Sequence, residues 1–295
     1  MVENQQQRVL GIVGATGFIG SCLSSRAKEA GWKVVGFSRS KQAAVGAVAE
    51  WRTWGESVDL GGLDALVNLA GEPVDQRWTA EAKRKFHQSR VGVTQLLARE
   101  MAREGAPRVW INGSAVGIYG DRGDEILTEE AQAGEGYLAE LCREWEAAAV
   151  AAGVRVLCWR TGIVLGKGGA AWGKMRTVFQ WGAGGRFGDG RQWMPWIHVD
   201  DLACGMLHAL DSGISGPVNG SAPKVERNAD FTRKLAAALR RPAILPAPAW
   251  GLRLALGEFA GALLASQRAV PEKLVADGYE FRFPTLESAL GELLG

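Results

Sequence analysis

The residues with the clearest chemical meaning are three glycines near the start of the chain. Gly14, Gly17 and Gly20 follow a predicted strand at residues 8–13 and open a predicted helix at 20–30. Gly14 permits a tight turn, Gly17 lets the main chain approach a pyrophosphate, and Gly20 lets the helix pack against the sheet. The helix N-terminus offers free N–H groups and partial positive charge to a diphosphate. An ordinary glycine-rich turn is the alternative, but the strand–turn–helix order favours dinucleotide binding.

The end of the second predicted strand, residues 32–37, indicates which nicotinamide nucleotide fits. An NAD site usually ends this strand in an Asp or Glu that holds the ribose hydroxyls. This sequence has Ser38, Arg39 and Ser40 there, and no acid. A guanidinium binds a 2′-phosphate through charge-assisted hydrogen bonds, whereas a carboxylate would repel it. The pattern predicts NADP(H), with a solvated Arg39 as the alternative.

Two further strand ends are predicted to contact the cofactor. Residues 64–69 form a continuous apolar strand, as expected where both faces of a sheet are covered. The small residues after it let the main chain lie against a ribose, and the loop after a strand at 154–159 approaches the nicotinamide. The predicted cofactor-binding residues are Gly14, Thr16, Gly17, Phe18, Ile19, Gly20, Ser38, Arg39, Ser40, Leu69, Ala70, Gly71, Arg160, Thr161, Gly162 and Ile163.

The elements that position these residues alternate between strand and helix over the first two-thirds of the chain. This alternation predicts an α/β Rossmann-type fold, a doubly wound parallel sheet with a small, mostly helical C-terminal lobe. Further strands are predicted near residues 45–51, at 108–112 and at 217–219, and further helices at 80–104, 137–152 and 199–210.

The predicted domains differ in composition. They are an NADP-binding Rossmann core at 1–165, completed by about 197–220, a Gly- and Trp-rich insertion or lid at 166–196, and a C-terminal substrate-side lobe at 221–295. Large flat side chains on a Gly-hinged segment suit a lid over a ligand, although the same rings can cement the segment to the core. The residues concerned are Trp172, Trp181, Trp193 and Trp196, with Arg186, Arg191 and Gln192 available to a polar substrate.

Composition and charge exclude several classes of function. The chain has 34 Lys and Arg against 32 Asp and Glu, a net charge of +2, which argues against a nucleic-acid-binding surface. A polar start and the lack of any run of roughly 18 apolar residues predict a cytoplasmic protein without a membrane span. The four cysteines and three histidines are scattered, so we expect reduced thiols and no metal site.

The motifs taken together resemble a known family. They are GATGFIG at 14–20, NLAGEPV at 68–74, RW at 77–78, SR at 89–90, SAVGIYG at 114–120, LAELCREWE at 138–146, RTGIVLG at 160–166, GRQWMPWIHVDD at 190–201, GPVN at 216–219 and QRAVPEKL at 267–274. They make the chain similar to the extended short-chain dehydrogenase/reductases, and among them to the uncharacterised sugar-epimerase-like oxidoreductases with a C-terminal domain of unknown function. The resemblance implies NADP binding and a substrate pocket between the Rossmann sheet and the C-terminal lobe.

The resemblance also points to candidate catalytic residues, which are Tyr137, Ser114 and Tyr119. In the wider superfamily a Lys four residues after the Tyr lowers the pKa of the phenol, which exchanges a proton while hydride moves. Here Leu141 stands at that position, and Ala115 stands at the usual Ser position. The familiar acid–base pair is therefore incomplete.

Three interpretations of the catalytic site stay open. Either tyrosine donates a proton without the help of a lysine, or another acid such as Glu135, Asp121 or a substrate group serves, or the protein binds NADP(H) without turnover. The first two predict an NADP(H)-dependent oxidoreductase or epimerase-like enzyme for a small polar carbonyl or sugar-type substrate. The third predicts a non-catalytic NADP(H)-binding regulatory protein. A lid over a nicotinamide favours the enzyme.

Two further predictions concern helices. Asp200 or Asp201 is expected to cap a helix that begins at Leu202, with His198 at a strand end near the pocket. The helix at 80–104 either forms a homodimer interface or simply covers the sheet.

Overall fold

The computed structural model describes residues 7–40 and 46–295. Its strands are, in chain order, Val9–Val13 (β1), Lys33–Ser38 (β2), Glu50–Thr53 (β3), Ala65–Asn68 (β4), Val109–Ala115 (β5), Ile126–Leu127 (β6), Arg155–Thr161 (β7), Ile163–Leu165 (β8), Trp193–Met194 (β9), Trp196–His198 (β10), Gly216–Gly220 (β11), Glu226–Arg227 (β12) and Arg268–Ala269 (β13).

Seven of these strands form one parallel sheet, in the order β11-β7-β5-β4-β1-β2-β3. The order reverses direction between β1 and β4, so two crossover series run outward from the middle of the sheet. In open α/β sheets this switch point, at the carboxyl ends of the strands, is where ligands bind. The predicted doubly wound Rossmann-type fold is therefore confirmed.

The helices that cover the sheet and build the C-terminal region are as follows. They are Phe18–Glu29 (α1), Ala80–His87 (α2), Val93–Met101 (α3), Tyr137–Val150 (α4), Ala170–Gln180 (α5), Val199–Asp211 (α6), Asn228–Leu239 (α7), Ala249–Leu256 (α8), Phe259–Leu264 (α9), Glu272–Ala276 (α10) and Leu286–Leu294 (α11), with a π-helical turn at Gln88–Gly92 and a 3₁₀ turn at Val116–Tyr119. Within the described residues, no helix combines the length and apolar character needed to cross a membrane.

Alternating side chains of the central strands feed two separate cores, one on each face of the sheet. On one face Leu10 and Ile12 pack with α1 and with Leu202 and Met206 of α6. On the other face, apolar side chains of β1, β2 and β4 pack with α3, including Leu97. Burial on both faces explains why these strands read as near-continuous apolar runs.

The segment predicted as an insertion or lid shares a third core with the C-terminal lobe. Trp172 and Phe179 of α5 are buried with Phe231 and Leu235 of α7 and with Leu290 of α11. The helix α5 was not predicted, because only Trp172, Met175 and Phe179 mark its buried side.

Three predicted elements differ from the structure. The single helix at 80–104 is α2 and α3 joined by the π-helical turn. The third strand begins at Glu50, and the start of the predicted segment near residue 45 lies outside the described residues. The capping prediction for Asp200 or Asp201 is wrong, because α6 begins at Val199 and the His198 side chain accepts the cap hydrogen bond from the Asp200 N–H.

Candidate cofactor and substrate site

The glycine turn between β1 and α1 has the geometry of a phosphate-binding turn. Gly14 has φ +86°, a conformation that L side chains rarely adopt. A Cβ on Gly20 would lie 2.1 Å from the Gly14 carbonyl oxygen, so only glycine lets the helix approach the turn this closely. No side chain caps α1 at Gly17, and Thr16 and Gly17 are exposed. The first N–H groups of α1 are thus available to a diphosphate.

The two apolar residues that follow the turn, Phe18 and Ile19, pack against other parts of the protein. The Phe18 ring fills the space that Gly166 and Gly169 leave, since a Cβ on either glycine would lie within 3 Å of the ring. Ile19 packs against the core beside α6. Both are predicted cofactor-binding residues, and in the structure their side chains pack against the protein beside the turn.

The end of β2 presents the predicted 2′-phosphate site on the surface. Ser38 is half-buried, and Arg39 and Ser40 are exposed. The Ser40 N–H donates to the Ser38 Oγ at 3.3 Å, which closes a short turn at the strand end. Arg39 makes no hydrogen bond or ion pair with any residue that the structure describes. As far as these residues are concerned, its guanidinium is available to an anion.

The turn after β4 lies directly against the glycine turn. A Cβ on Gly14 would lie 3.0 Å from the Leu69 carbonyl oxygen and 3.3 Å from the Ala70 nitrogen. The buried Asn68 side chain accepts the Ala70 N–H at 3.1 Å and so fixes the turn. Gly71 follows and is exposed. The structure therefore brings the three predicted residues Leu69, Ala70 and Gly71 to the same sheet edge as the glycine turn.

The end of β7 differs from the prediction for Arg160. The Arg160 guanidinium donates to both carboxylate oxygens of Glu146, at 2.9 and 3.0 Å, and to the Tyr119 hydroxyl at 3.0 Å. Burial alone would lower the pKa of Arg160, because it disfavours the charged form. The hydrogen bond to Glu146 and its negative charge outweigh burial, so the pKa is raised. Because Arg160 is buried and already paired, it positions its neighbours and offers no free charge to a cofactor.

The loop that follows uses its main-chain groups within the protein. The Gly162 N–H donates to the Gly220 carbonyl at 3.0 Å, and the Ile163 N–H to the Pro195 carbonyl at 2.8 Å. The Thr161 hydroxyl donates to the Trp159 carbonyl at 3.3 Å. These residues stand at the carboxyl end of the sheet as predicted, but the two amides are not available to a nicotinamide carboxamide.

Two of the three candidate catalytic residues join one buried polar network. Ser114 donates to Glu146 at 2.6 Å, and the Tyr119 hydroxyl donates to the Asn219 Oδ1 at 2.7 Å. Tyr119 is completely buried, and burial raises the pKa of its phenol. Contact between Tyr119 and a substrate would require this core to open, so its placement supports a positioning role over a catalytic one.

Tyr137 lies outside that network, at the start of α4. Its hydroxyl donates to the Lys83 carbonyl at 3.3 Å. The centroid of the Tyr137 ring lies 5.3 Å from that of the Trp78 ring and 4.7 Å from the Lys83 ammonium nitrogen. Burial raises the pKa of Tyr137, and the positive charge of Arg90 opposes that shift. Leu141, where the superfamily has Lys, is buried among apolar side chains.

A cavity of about 850 Å³ lies between the loop after Tyr119, the insertion and the C-terminal lobe. Its lining carries both signs of charge, from Asp121, Asp124, Arg191, Arg227 and Arg253. The Asp121 carboxylate accepts the Ser266 N–H at 3.1 Å, so it ties the lobe to the core. The predicted substrate residues Arg191 and Gln192 both line this cavity.

The four tryptophans of the insertion divide between packing and surface roles. Trp172 and Trp196 are buried in the core shared with the C-terminal lobe, so they cement the segment. Trp181 is 83% exposed. Trp193 lies between the guanidinium groups of Arg227 and Arg268, each 4.5 Å from its ring. His198 is buried, with its Nε2 atom 3.2 Å from Glu292.

The structure adds two charged residues to the candidate site that the motifs contain but that the sequence does not single out. Glu146 closes the motif LAELCREWE, and Arg90 belongs to the motif SR. Glu146 is the partner of Ser114 and Arg160, and the Arg90 guanidinium lies against Gly71. The sequence shows only that each motif contains a charged residue, and not which contacts that residue makes.

The reversed strand order, the uncapped glycine turn and the helical lobe over one cavity define a dinucleotide-binding Rossmann protein. The model of the NAD dependent epimerase/dehydratase family matches residues 10–221, and that of a domain of unknown function, DUF1731, matches residues 247–293. The chain belongs to the NAD-dependent epimerase/dehydratase family, as the motifs predicted.

Relatives match over almost the whole chain. An Arabidopsis thaliana protein named "Epimerase family protein SDR39U1 homolog, chloroplastic" is 36% identical over 99% of this chain and 88% of its own length. The crystal structure of human epimerase family protein SDR39U1 with NADPH is 33% identical, with a TM-score of 0.89, over 97% of this chain and 99% of that one. A nucleoside-diphosphate sugar epimerase from Corynebacterium glutamicum is 34% identical, with a TM-score of 0.81, over 98% of this chain and 59% of that one.

Proposed function

We propose that this protein binds NADP(H) and uses it as an oxidoreductase or epimerase-like enzyme on a small polar carbonyl or sugar-type substrate. The observation that carries the proposal is the uncapped N-terminus of α1 behind a turn that only Gly14 and Gly20 can form. Arg39, at the end of β2 and without a hydrogen bond or ion pair among residues 7–40 and 46–295, fits a 2′-phosphate. The presence of NADPH in the human relative supports the same assignment.

A nicotinamide cofactor supplies or accepts a hydride when it is bound. The residues of this chain have to hold the substrate and move the proton. Because burial raises the pKa of Tyr137, its phenol stays protonated at neutral pH and suits a proton donor better than a base. The charged cavity beside the C-terminal lobe is the proposed place for one polar part of the substrate.

The alternative function is that of a non-catalytic NADP(H)-binding regulatory protein. Its support is Leu141, which is 4% exposed and leaves Tyr137 without the neighbouring lysine that activates the phenol in the superfamily. The charged cavity favours the enzyme, because a protein that only senses the cofactor has no need of a second polar pocket.

The experiment that separates the two functions measures NADPH oxidation with a panel of sugars, aldehydes and quinones. We expect at least one class of compound to be reduced, and Tyr137→Phe to lower kcat about a hundredfold, since a positioned proton donor contributes that much. Tight NADPH binding with no turnover of any compound would assign the regulatory function instead. Undiminished turnover in Tyr137→Phe would remove that residue from the mechanism.

The cellular compartment and oligomeric state belong to the same proposal. We place the protein in the cytoplasm, and we keep the homodimer through the helix at 80–104 as a prediction. Phe86 of α2 and Leu97 of α3 are buried within the chain, so a dimer would use the exposed faces of these two helices.

A further inference from the structure

Arg90 carries a charge that has no ion pair within the part of the chain that the structure describes. Its guanidinium makes no hydrogen bond or ion pair with any of the residues 7–40 and 46–295, and its buried Nη1 atom has no partner. The Cζ atom lies 5.3 Å from the Trp145 ring and 6.0 Å from the Phe86 ring. Burial lowers the pKa of this group. Arg160, the comparable arginine of the nearby network, is instead fully paired with Glu146.

The position of Arg90 places this charge at the edge of the cofactor site. A Cβ on Gly71 would lie 3.1 Å from the Arg90 Cζ and Nη2 atoms, so the glycine makes room for the guanidinium. The neighbouring Ser89 Oγ accepts the Glu72 N–H at 3.0 Å, which holds the turn after β4 against the same helix. That turn also touches Gly14, as described above.

The local backbone is also unusual at this point. Arg90 lies in the π-helical turn Gln88–Gly92, which interrupts the helix between α2 and α3. Single π-helical turns inside helices occur frequently at functional sites. Here the turn contains the arginine whose guanidinium has no ion pair within the described residues.

A desolvated arginine without a counterion is suited to bind an oxyanion. A desolvated and unpaired charge is costly, and an apolar residue of similar size would pack against Phe86 and Trp145 without that cost. The planar guanidinium matches a carboxylate or a phosphate group through two parallel hydrogen bonds. The diphosphate of a dinucleotide already has the N-terminus of α1, and Gly71 lies one residue beyond the part of the turn that touches Gly14.

We infer that Arg90 is the anion-binding residue of the substrate site, and that it binds a carboxylate or similar acid group of a substrate held beside the nicotinamide. The inference rests on the proposed NADP(H) site and narrows its substrate class to polar carbonyl compounds or sugars that carry an acid group. Arg90 thus supplies, from another helix, a positive charge near Tyr137, where the sequence lacks the lysine.

The test measures the binding of oxalate and of inorganic phosphate to the NADPH-loaded protein by calorimetry. We expect wild type to bind oxalate, Arg90→Leu to weaken that binding by about tenfold to a hundredfold, and Arg90→Lys to recover part of it. NADPH affinity should change by less than about threefold in Arg90→Leu. Arg99→Leu, an exposed arginine on α3, is the matched control and should bind oxalate as wild type does.

Several outcomes would overturn the inference. Wild type that binds neither probe with NADPH present, or Arg90→Leu that binds oxalate as well as wild type does, would contradict it. A loss of NADPH affinity in Arg90→Leu without any oxalate binding in wild type would assign Arg90 to a cofactor phosphate. A lower melting temperature in Arg90→Leu, with oxalate binding intact, would assign a purely structural role. Failure of the proposed function is a separate result, since wild type would then not bind NADPH itself.

Discussion

At the residue scale, a single carboxylate organises the polar side chains at the carboxyl ends of β5 and β7. Glu146 accepts hydrogen bonds from Ser114 and from two nitrogen atoms of Arg160. The Arg160 and Glu146 side chains are only 9% and 13% exposed. At such burial the loss of one partner leaves the other charge unpaired, which costs far more than the intact pair contributes.

We therefore predict that Glu146→Gln destabilises the protein by about 3 kcal/mol, since it leaves the buried Arg160 charge without a counterion. Ser114→Ala is the matched control, because it removes one hydrogen bond to the same carboxylate and should cost about 1 kcal/mol. Urea unfolding followed by tryptophan fluorescence gives both values. A Glu146→Gln variant no less stable than Ser114→Ala would contradict this account of the network.

The residues that could be predicted are those whose role depends on near neighbours in sequence. Gly14, Gly17 and Gly20 belong to one turn, which the structure forms between β1 and α1. Glu146 and Arg90 could not be predicted, because their meaning depends on contacts across the fold: Ser114 lies 32 residues before Glu146. A sequence shows that a charge is present, but only the fold shows whether it has a partner.

At the element scale, the contact between the glycine turn and α1 determines whether the helix N-terminus can face a diphosphate. Gly20 is buried in the first turn of the helix, against the Gly14 carbonyl. Any side chain there pushes the helix away from the turn, so the amides that would bind phosphate move as well.

We predict that Gly20→Ala weakens NADPH binding at least tenfold and destabilises the fold by about 2 kcal/mol, the usual cost of overpacking. The matched control is Gly173→Ala in the exposed middle of α5, where a Cβ would meet nothing within 4 Å. That change should stabilise the helix by about 0.5–1 kcal/mol and leave NADPH binding unchanged. Fluorescence titration and thermal unfolding measure the two effects, and an unaltered affinity in Gly20→Ala would refute the proposed geometry.

The elements themselves were predictable where their pattern is local and strong. The strands β1, β2, β4 and β7 lie within two residues of the predicted segments, because short apolar runs between turns are typical of buried parallel strands. The helix α5 was missed because only Trp172, Met175 and Phe179 mark its buried side. The π-helical turn has no pattern of its own in sequence.

At the scale of the whole molecule, the alternation of strands and helices was enough to predict a doubly wound sheet with a helical lobe. It was not enough to predict that the insertion and the lobe share one core, since that depends on contacts between α5, α7 and α11. The charged cavity lies between this insertion, the lobe and the loop after Tyr119. The molecule therefore contains a candidate cofactor site and a separate polar pocket.

The central claim is that the protein binds NADP(H). Calorimetric titration of NADPH and NADH into wild type and Arg39→Ala tests this claim most directly. The matched control is Arg108→Ala. Arg108 is an exposed arginine just before β5, at the amino end of that strand, whereas Arg39 follows the carboxyl end of β2. We predict that wild type binds NADPH at least tenfold more tightly than NADH, that Arg39→Ala loses this preference, and that Arg108→Ala keeps it. Equal affinity of wild type for the two nucleotides, or no measurable binding of either, would contradict the account.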